Sequence, residues 1–379
     1  MQALGNARVL TDEGFVPDRV LLIDDERIVA LVPKDDPRLV KAERRDLRGA
    51  YLLPGFIDCQ VNGGGGVLFN DDPSVEAIRA IGKAHRRFGT TGFLPTLISD
   101  DISVIARAIA SVRVAIEARV PGVIGVHVEG PFINELRKGA HDPAKLRELD
   151  EEGVRLLSSL GIGRTLVTLA PEVTKPQTIR RLVDAGVVVS AGHTNGTFDE
   201  VAEAFKHGVS GVTHLFNAMS PFTHREPGAV GAALSDPDSW CGLIVDGRHV
   251  HPAALKLALR CKRQDRFMLV TDAMPSVGSH RDSFMLQGRR IIVKDGVCVD
   301  ENGTLSGSAI DMASAVRNCV DLLGLTLEQA ARMASTYPAA FLGLDDEVGR
   351  IAPGYRANLV AADERLQVLE TWIDGRSSR

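Results

Sequence analysis

Eight short apolar runs alternate with helix-like segments through the middle of this chain, and that alternation does most to narrow its possible folds. The runs cover 52–58, 91–97, 123–129, 165–170, 187–192, 212–216, 242–246 and 268–272. They are rich in β-branched and other apolar residues and many follow a glycine, the pattern of strands buried on both faces. Between them, 102–119 places Ile102, Ile105, Ile109, Val112 and Ile116 on one helical face. The segments 143–160, 176–185, 198–207 and 252–263 read the same way, with Pro143, Pro176 and Pro252 standing where helices often begin. The connection after 212–216 is the least defined. Eight such units predict an α/β fold, a closed (β/α)8 TIM barrel. An open doubly wound sheet is the alternative, but no GxGxxG follows the first run.

The flanks read differently. Strand-like pieces at 19–23 and 27–32 are separated by turn residues, and 357–361 and 368–373 repeat the pattern at the other end. The expectation is a small β-sandwich domain formed by 1–50 plus 349–379, beside a barrel over 51–348. A chain of 379 residues accommodates a barrel of roughly 250 residues plus such additions. A net charge of −5 without a basic block argues against nucleic acid and against an anionic membrane surface. The start of the chain lacks a signal-peptide pattern, and no apolar stretch reaches the ~18 residues that a bilayer requires. Five cysteines, without a CxxC pair, read as reduced and mostly structural thiols in a cytoplasmic protein.

In a barrel of this kind, chemistry sits where strands end. Run one ends near Gln60 and Asn62, run three at Glu129, run five at His193 and run eight at Asp272; run six contains His214, and run seven leads to Asp246 and His249. Imidazole and carboxylate together suit Zn²⁺ and neighbouring divalent ions, and three protein ligands leave a position open for water. A bound ion lowers the pKa of that water towards ~7. Asp272 has the type and place of a group that takes a proton and returns it to a leaving amine. Each residue has a plainer reading alone: a hydrogen-bonded structural histidine, an ion-paired Glu129, or Asp272 as a helix cap. Their joint placement at one mouth favours the metal. Of the other histidines, His85 and His207 read as surface residues on helices, His280 as a loop residue and His251 as a surface or cap residue. His127 shares a strand face with Glu129.

The motifs PGFIDCQVNGGGG, GTTGFLPTL, HVEGPFIN, KGAH, LAPE, SAGHTN, THLFNAMSPFTHREPG, DGRHV, LVTDA and DENGTLSGS occur in that order over nearly the whole chain. In this the sequence resembles the amidohydrolase superfamily and, within it, the N-acetylglucosamine-6-phosphate deacetylases. The resemblance implies removal of an acetyl group from an amino sugar phosphate. It implies Glu129, His193 and His214 as metal ligands, Asp272 as general base and then acid, and His141 as a polarising group on the amide carbonyl. It further implies Asn217 and the backbone of Ala218 as substrate contacts, and backbone around Ala140 and Leu305, Ser306 and Gly307 lining the sugar. Arg225 and His249 would bind phosphate, Arg225 reaching in from the neighbouring subunit of a homodimer. The plainer alternatives for Arg225 are surface ion pairs with Glu226 or Asp236, and for His141 a loop residue capping the helix expected near Pro143.

One departure matters. Many superfamily members carry His-x-His at the end of the first strand for a second metal, where this chain has Gln60-Val61-Asn62. Neutral amides are poorer ligands than imidazole, so one divalent ion is expected, Zn²⁺ first, with Fe²⁺, Co²⁺ or Mn²⁺ also fitting. The loop after Asp272 reads Met-Pro-Ser-Val-Gly, so its lid is expected to differ in shape. Two other readings are an amidohydrolase acting on a different N-acyl substrate and a catalytically inactive barrel serving as a scaffold.

Overall fold

The computed structural model describes all 379 residues. The chain starts in a β layer, with β1 (Gln2–Thr11), β2 (Gly14–Asp24), β3 (Arg27–Pro33) and β4 (Glu43–Pro54). It then enters the barrel at β5 (Phe56–Val61), followed by a two-residue hairpin, β6 (Gly63–Gly64) and β7 (Val67–Leu68). The next barrel strands are β8 (Thr90–Ile98), β9 (Gly125–Glu129), β10 (Arg164–Leu169), β11 (Val188–Ala191), β12 (Gly211–Val212), β13 (Trp240–Leu243) and β14 (Phe267–Leu269). Their order in the sheet follows the chain from β5 and β8 to β14, and the neighbouring pairs are parallel. A parallel bridge between Val61 and Ala273 brings the first and last strands together and closes the barrel.

Helices α1 (Val75–Arg86), α2 (Ile102–Glu117), α3 (Glu151–Leu157), α4 (Pro176–Asp184), α5 (Phe198–Lys206), α6 (Gly228–Ser235) and α7 (Pro252–Cys261) connect successive strands. The side-chain alternation of a strand explains both the core and the site. Val126 and Val128 of β9 pack outward with Ile105, Ala108, Ile109 and Val112 of α2. His127 and Glu129 therefore face inward. Asp101, Thr197 and His251 occupy the N-cap positions of α2, α5 and α7, and the His251 side chain accepts from the Ala253 N–H, so His251 is a cap.

The expected helix over 143–160 is instead a short turn at Pro143–Lys145 followed by α3. Leu146 is extended, Arg147 N–H donates to the Pro131 carbonyl, and Asp150 starts a new helix by accepting from Gly153 N–H. Run 52–58 divides between β4 and β5, because Leu52 to Pro54 pair with the second half of the β layer. After Val212 no helix follows directly; turns lead to α6. His85 is not at the surface: it is fully buried, with Nε2 2.9 Å from the Gly63 carbonyl.

Beyond the barrel strands lies an insert that the sequence reading treats only as a loop. Strands β15 (Ser283–Leu286), β16 (Arg289–Lys294), β17 (Val297–Val299) and β18 (Leu305–Ser308) form an antiparallel sheet at the barrel mouth. Helices α8 (Met312–Asn318), α9 (Leu327–Ala334) and α10 (Thr336–Phe341) then lead to β19 (Leu359–Ala362), β20 (Val368–Ile373) and β21 (Arg376–Ser377). These last three join the first four in one sheet, ordered β21-β20-β19-β4-β1-β2-β3. An antiparallel bridge between Arg27 and Arg356 folds the sheet over, sandwich-fashion, around Leu4, Leu21, Ile28, Leu52, Leu359 and Trp372.

A buried carboxylate also ties the start of the barrel to its end. Asp58 of β5 accepts from Thr271 Oγ1 at 2.5 Å, and from the Thr271 and Gln60 backbone N–H groups at 3.2 Å each. Burial pushes its pKa up to about 7, against the opposing effect of these hydrogen bonds. Asp58→Ala removes the acceptor of two buried backbone N–H groups, each costing about 1–3 kcal/mol, while Thr271 Oγ1 keeps the Gln60 carbonyl as an acceptor at 3.3 Å. Urea unfolding is expected to show a loss of at least ~2 kcal/mol for Asp58→Ala and a smaller loss for Asp58→Asn, which retains an acceptor.

Candidate active site

The barrel mouth holds a cavity of about 370 Å³. Glu129, His141, His193, His214, His249 and Asp272 all line it, together with Asn62, Ala140, Asn217, Ala218, Leu305 and Gly307. The cavity thus brings together the strand-end residues Asn62, Glu129, His193, His214, His249 and Asp272 and most of those that the resemblance implies. Four non-glycine residues of this lining sit in an unusual backbone conformation: φ is +48° at His193, +33° at His214, +48° at Ala218 and +52° at Asp272. Non-glycine residues in this region cost about 1–3 kcal/mol each and concentrate at functional sites. Here the left-handed turn at three strand ends accompanies side chains that converge on the mouth.

Glu129 Oε1 lies 3.2 Å from His193 Nε2 and 3.0 Å from His214 Nε2, and the two nitrogens are 3.1 Å apart. All three side chains are buried, and their ligand atoms lie within 4.8 Å of one another. His193 Nδ1 is 2.8 Å from the Arg137 carbonyl, which can only accept, so Nδ1 carries a proton. In neutral His193, Nε2 is then a bare lone pair facing a carboxylate oxygen. That arrangement is repulsive unless a cation lies between them. Burial opposes charge on both Glu129 and His214. Even so, the imidazole hydrogen bonds hold Glu129 well below the usual carboxylate range, and Glu129 raises His214. The site therefore favours a positive charge among these atoms, and the donor set fits a divalent metal.

The first-strand amides have a different task. Gln60 Nε2 donates to Glu129 Oε1 at 3.0 Å and to Asp272 Oδ1 at 3.1 Å, and Asn62 Nδ2 donates to Asp272 Oδ1 at 2.6 Å. Because carboxylates only accept, the NH₂ ends must point at them. Asp272 Oδ2 makes no hydrogen bond within the chain, in a residue that lines the cavity. Burial, reinforced by the Glu129 charge, pushes Asp272 up to about 7. A carboxyl group in that range can both accept and return a proton near neutrality.

His249 Nδ1 is 2.6 Å from Asp246 Oδ2, which fixes the ring. Asp246 Oδ1 also accepts from the backbone N–H groups of Arg248 and His249. His141 is buried, and burial, with His193 adding to it, lowers its pKa well below the ordinary value. The cap of the turn that follows is Asp142, not His141. Ser306 is the exception among the expected sugar-lining residues. Its side chain is fully buried and donates to the Thr304 carbonyl, because alternation along β18 turns it away from the face that Leu305 and Gly307 present. Arg225 lies on an exposed loop, outside this chain's own cavity, and pairs with neither Glu226 nor Asp236.

Other supporting residues were not read as such in the sequence. Glu172 of the LAPE motif accepts from Asn134 Nδ2, Thr194 Oγ1 and Asn195 N–H, and so anchors the loop that follows His193. His127 sits one layer below the site, bonded to Thr96 and Thr168, and burial lowers its pKa to about 4. Glu172 lies in the short turn Pro171–Val173 just beyond the fourth barrel strand, a position that could have flagged it. The partners of His127 lie on neighbouring strands and carry no local signal.

Comparison with known proteins agrees with this geometry. Residues 51–377 match the amidohydrolase family. The chain is 44% identical to the N-acetylgalactosamine-6-phosphate deacetylase of Shewanella sp. (strain ANA-3), over 87% of this chain and 83% of that one. It is 35% identical to the N-acetylglucosamine-6-phosphate deacetylase of Haemophilus influenzae, over 99% and 98% of the two chains. The crystal structure of the N-acetylglucosamine-6-phosphate deacetylase from Pasteurella multocida superimposes with a TM-score of 0.96 at 36% identity, covering 100% of this chain and 99% of the other.

A bound ion that contacts only the folded state stabilises it by about 2.7 kcal/mol at a hundredfold excess over Kd. Calorimetry is therefore expected to show that a chelator lowers the Tm of the wild-type protein. His214→Ala should have little bound metal and a Tm that the chelator leaves unchanged.

Proposed function

The chain belongs to the amidohydrolase family and is a metal-dependent amide hydrolase; on that premise we propose that it hydrolyses the N-acetyl group of N-acetylglucosamine 6-phosphate, giving glucosamine 6-phosphate and acetate. The observation that carries this reading is the Glu129–His193–His214 cluster facing Asp272 within a cavity that also presents His249, Asn217 and the Ala218 backbone. Glu129, His193 and His214 would hold one divalent ion, with Zn²⁺ the first choice for two nitrogens and a carboxylate. When bound, such an ion supplies Lewis-acid chemistry, polarising a carbonyl and making water more acidic.

The side chains supply the remainder. Asp272 Oδ2 takes a proton as water oxygen adds to the amide carbon. Asp272 then gives that proton to the sugar nitrogen as the C–N bond breaks, so acetate and a free amine leave. Gln60 and Asn62 hold Oδ1 throughout and keep Oδ2 aimed into the cavity. Their donor ends are committed to carboxylates, which supports one metal rather than two. His141 donates to the amide oxygen as charge gathers there. Asn217, Ala218, Ala140, Leu305 and Gly307 shape the sugar site.

For the phosphate, His249 stands in the cavity of the same chain, while Arg225 does not line it. A guanidinium matches phosphate through a bidentate fork. We assign Arg225 to the neighbouring subunit's site in a homodimer, which an exposed loop free of ion pairs allows. Five unpaired cysteines and a phosphorylated substrate fit a cytoplasmic enzyme. No helix is long and apolar enough to cross a membrane.

A second reading keeps the chemistry and changes the configuration of the sugar at C4, favoured by the 44% identity to a deacetylase of N-acetylgalactosamine 6-phosphate. Parallel assays on both sugar phosphates decide between the two.

Steady-state assays are expected to give a kcat/KM for N-acetylglucosamine 6-phosphate far above that for N-acetylglucosamine. Arg225→Ala should lower the first value and leave the second unchanged; equal values for the two sugars in the wild-type enzyme would remove Arg225 and His249 from phosphate binding. Asp272→Asn should retain its metal yet lose about 10²–10⁴ in kcat, the usual contribution of positioned proton transfer. Near-normal turnover with metal bound would remove Asp272 from the mechanism.

A further inference from the structure

The insert at the barrel mouth does more than cover the site. Its first hairpin, β15–β16, turns at Gln287 and Gly288, both in the left-handed region with φ of +48° and +79°. The turn carries the Gln287 side chain between two segments that are distant in sequence. Gln287 Nε2 donates to the Ser99 carbonyl at 2.5 Å, and Gln287 Oε1 accepts from the Asp142 N–H at 2.8 Å. A carbonyl only accepts and a backbone N–H only donates, so this orientation of the amide is the one that satisfies both. Arg289, the residue after the turn, donates to the Ala140 carbonyl.

Ser99 and Asp142 flank one further contact. Ser99 follows directly on β8, and Asp142 follows His141. His141 Nδ1 lies 3.3 Å from the Ser99 backbone N–H and 2.7 Å from Ser99 Oγ. The backbone N–H can only donate, so Nδ1 is an acceptor, and the Ser99 hydroxyl must donate to it as well. The single ring proton then resides on Nε2. That atom makes no hydrogen bond within the chain, in a side chain that lines the cavity. The opposite tautomer would put an N–H against an N–H at Ser99 and leave a bare lone pair facing the substrate.

We propose that Ser99 is a positioning residue that fixes His141 as the Nε2–H tautomer, and that Gln287 of the insert locks Ser99 and the His141 loop in that pose. The consequence for catalysis rests on the deacetylase reading. An Nε2–H donor meets the amide oxygen as it becomes negative, whereas a lone pair there repels it. The insert thereby belongs to the electrostatics of the site as well as to its shape.

The test uses the full-length, zinc-loaded enzyme labelled with ¹⁵N-histidine. The His141 signals are identified by their loss in His141→Asn, and two-bond ¹⁵N–¹H correlation reads the tautomer with no substrate present. The Nε2–H tautomer is expected in the wild-type protein. Outright removal of an oxyanion donor costs about 10²–10³ in kcat, so a donor merely loosened in Ser99→Ala is expected to cost about tenfold, with KM little changed. Gln287→Ala should lower kcat in the same direction. An Nδ1–H tautomer in the wild-type protein overturns the proposal, as does Ser99→Ala with undiminished kcat, and undiminished kcat in Gln287→Ala removes the lock. A wild-type enzyme with no activity on the sugar phosphate would count against the deacetylase reading alone, because the tautomer is read without it.

Discussion

A carboxylate oxygen and two imidazole nitrogens, all on buried side chains and all within 3.2 Å of one another, make an arrangement that electrostatics does not tolerate without positive charge. Much of the mouth of this barrel can be understood from that constraint. Glu129 is braced by Gln60, His193 by the Arg137 carbonyl, and the loop beyond His193 by Glu172. Each brace removes a degree of freedom from a group that would otherwise turn away from its neighbours. The backbone adds its own share, since His193, His214 and Asp272 all occupy a conformation unfavourable for residues with a Cβ. Such strain persists where surrounding packing over-determines it, and here the eight-stranded wall provides that packing.

The same logic separates the roles of similar groups. Glu129 and Asp272 are both carboxylates at strand ends, and Gln60 donates to both. Glu129 meets two imidazoles and is held ionised; Asp272 meets amides, the negative charge of Glu129 and the low dielectric of the mouth, and is pushed upward. Two carboxylates whose environments drive their proton affinities apart can serve as ligand and proton carrier in one reaction. The histidines divide in a parallel way. His141 accepts at Nδ1 from Ser99, while His249 shares Nδ1 with the Asp246 carboxylate. The first is left with Nε2 free of any partner in the chain, and the second is held beside a carboxylate partner.

Much of this was legible in the sequence because parallel barrel strands announce themselves one at a time. Each strand is a local apolar run, and its terminal polar residue stands next to it in the chain. Glu129, His193, His214 and Asp272 could therefore be placed at one mouth before any contact was known. His141, Arg225 and the sugar-lining backbone came only from resemblance to a family, since loops carry no period. What stayed hidden was whatever depends on distant pairs: Asp58 reaches Thr271 across 213 residues, and Ser99 reaches His141 across 42. His85 read as a surface residue because its helix is amphipathic, yet it faces the Gly63 turn. The insert did have a local signature, Asp295–Gly296 between β-branched residues, which is a hairpin turn signal that a barrel-only reading passes over. The break in the 143–160 helix turns on Asp150, whose capping role competes with helical continuation.

The central claim is that one metal ion, seated among Glu129, His193 and His214, makes this barrel an N-deacetylase. Titrating the metal-free protein with Zn²⁺ while measuring acetate released from N-acetylglucosamine 6-phosphate tests it directly. Activity should rise linearly and reach its plateau at one ion per chain. A plateau at two ions, or no acetate at any zinc level from protein that has bound the metal, would contradict the account.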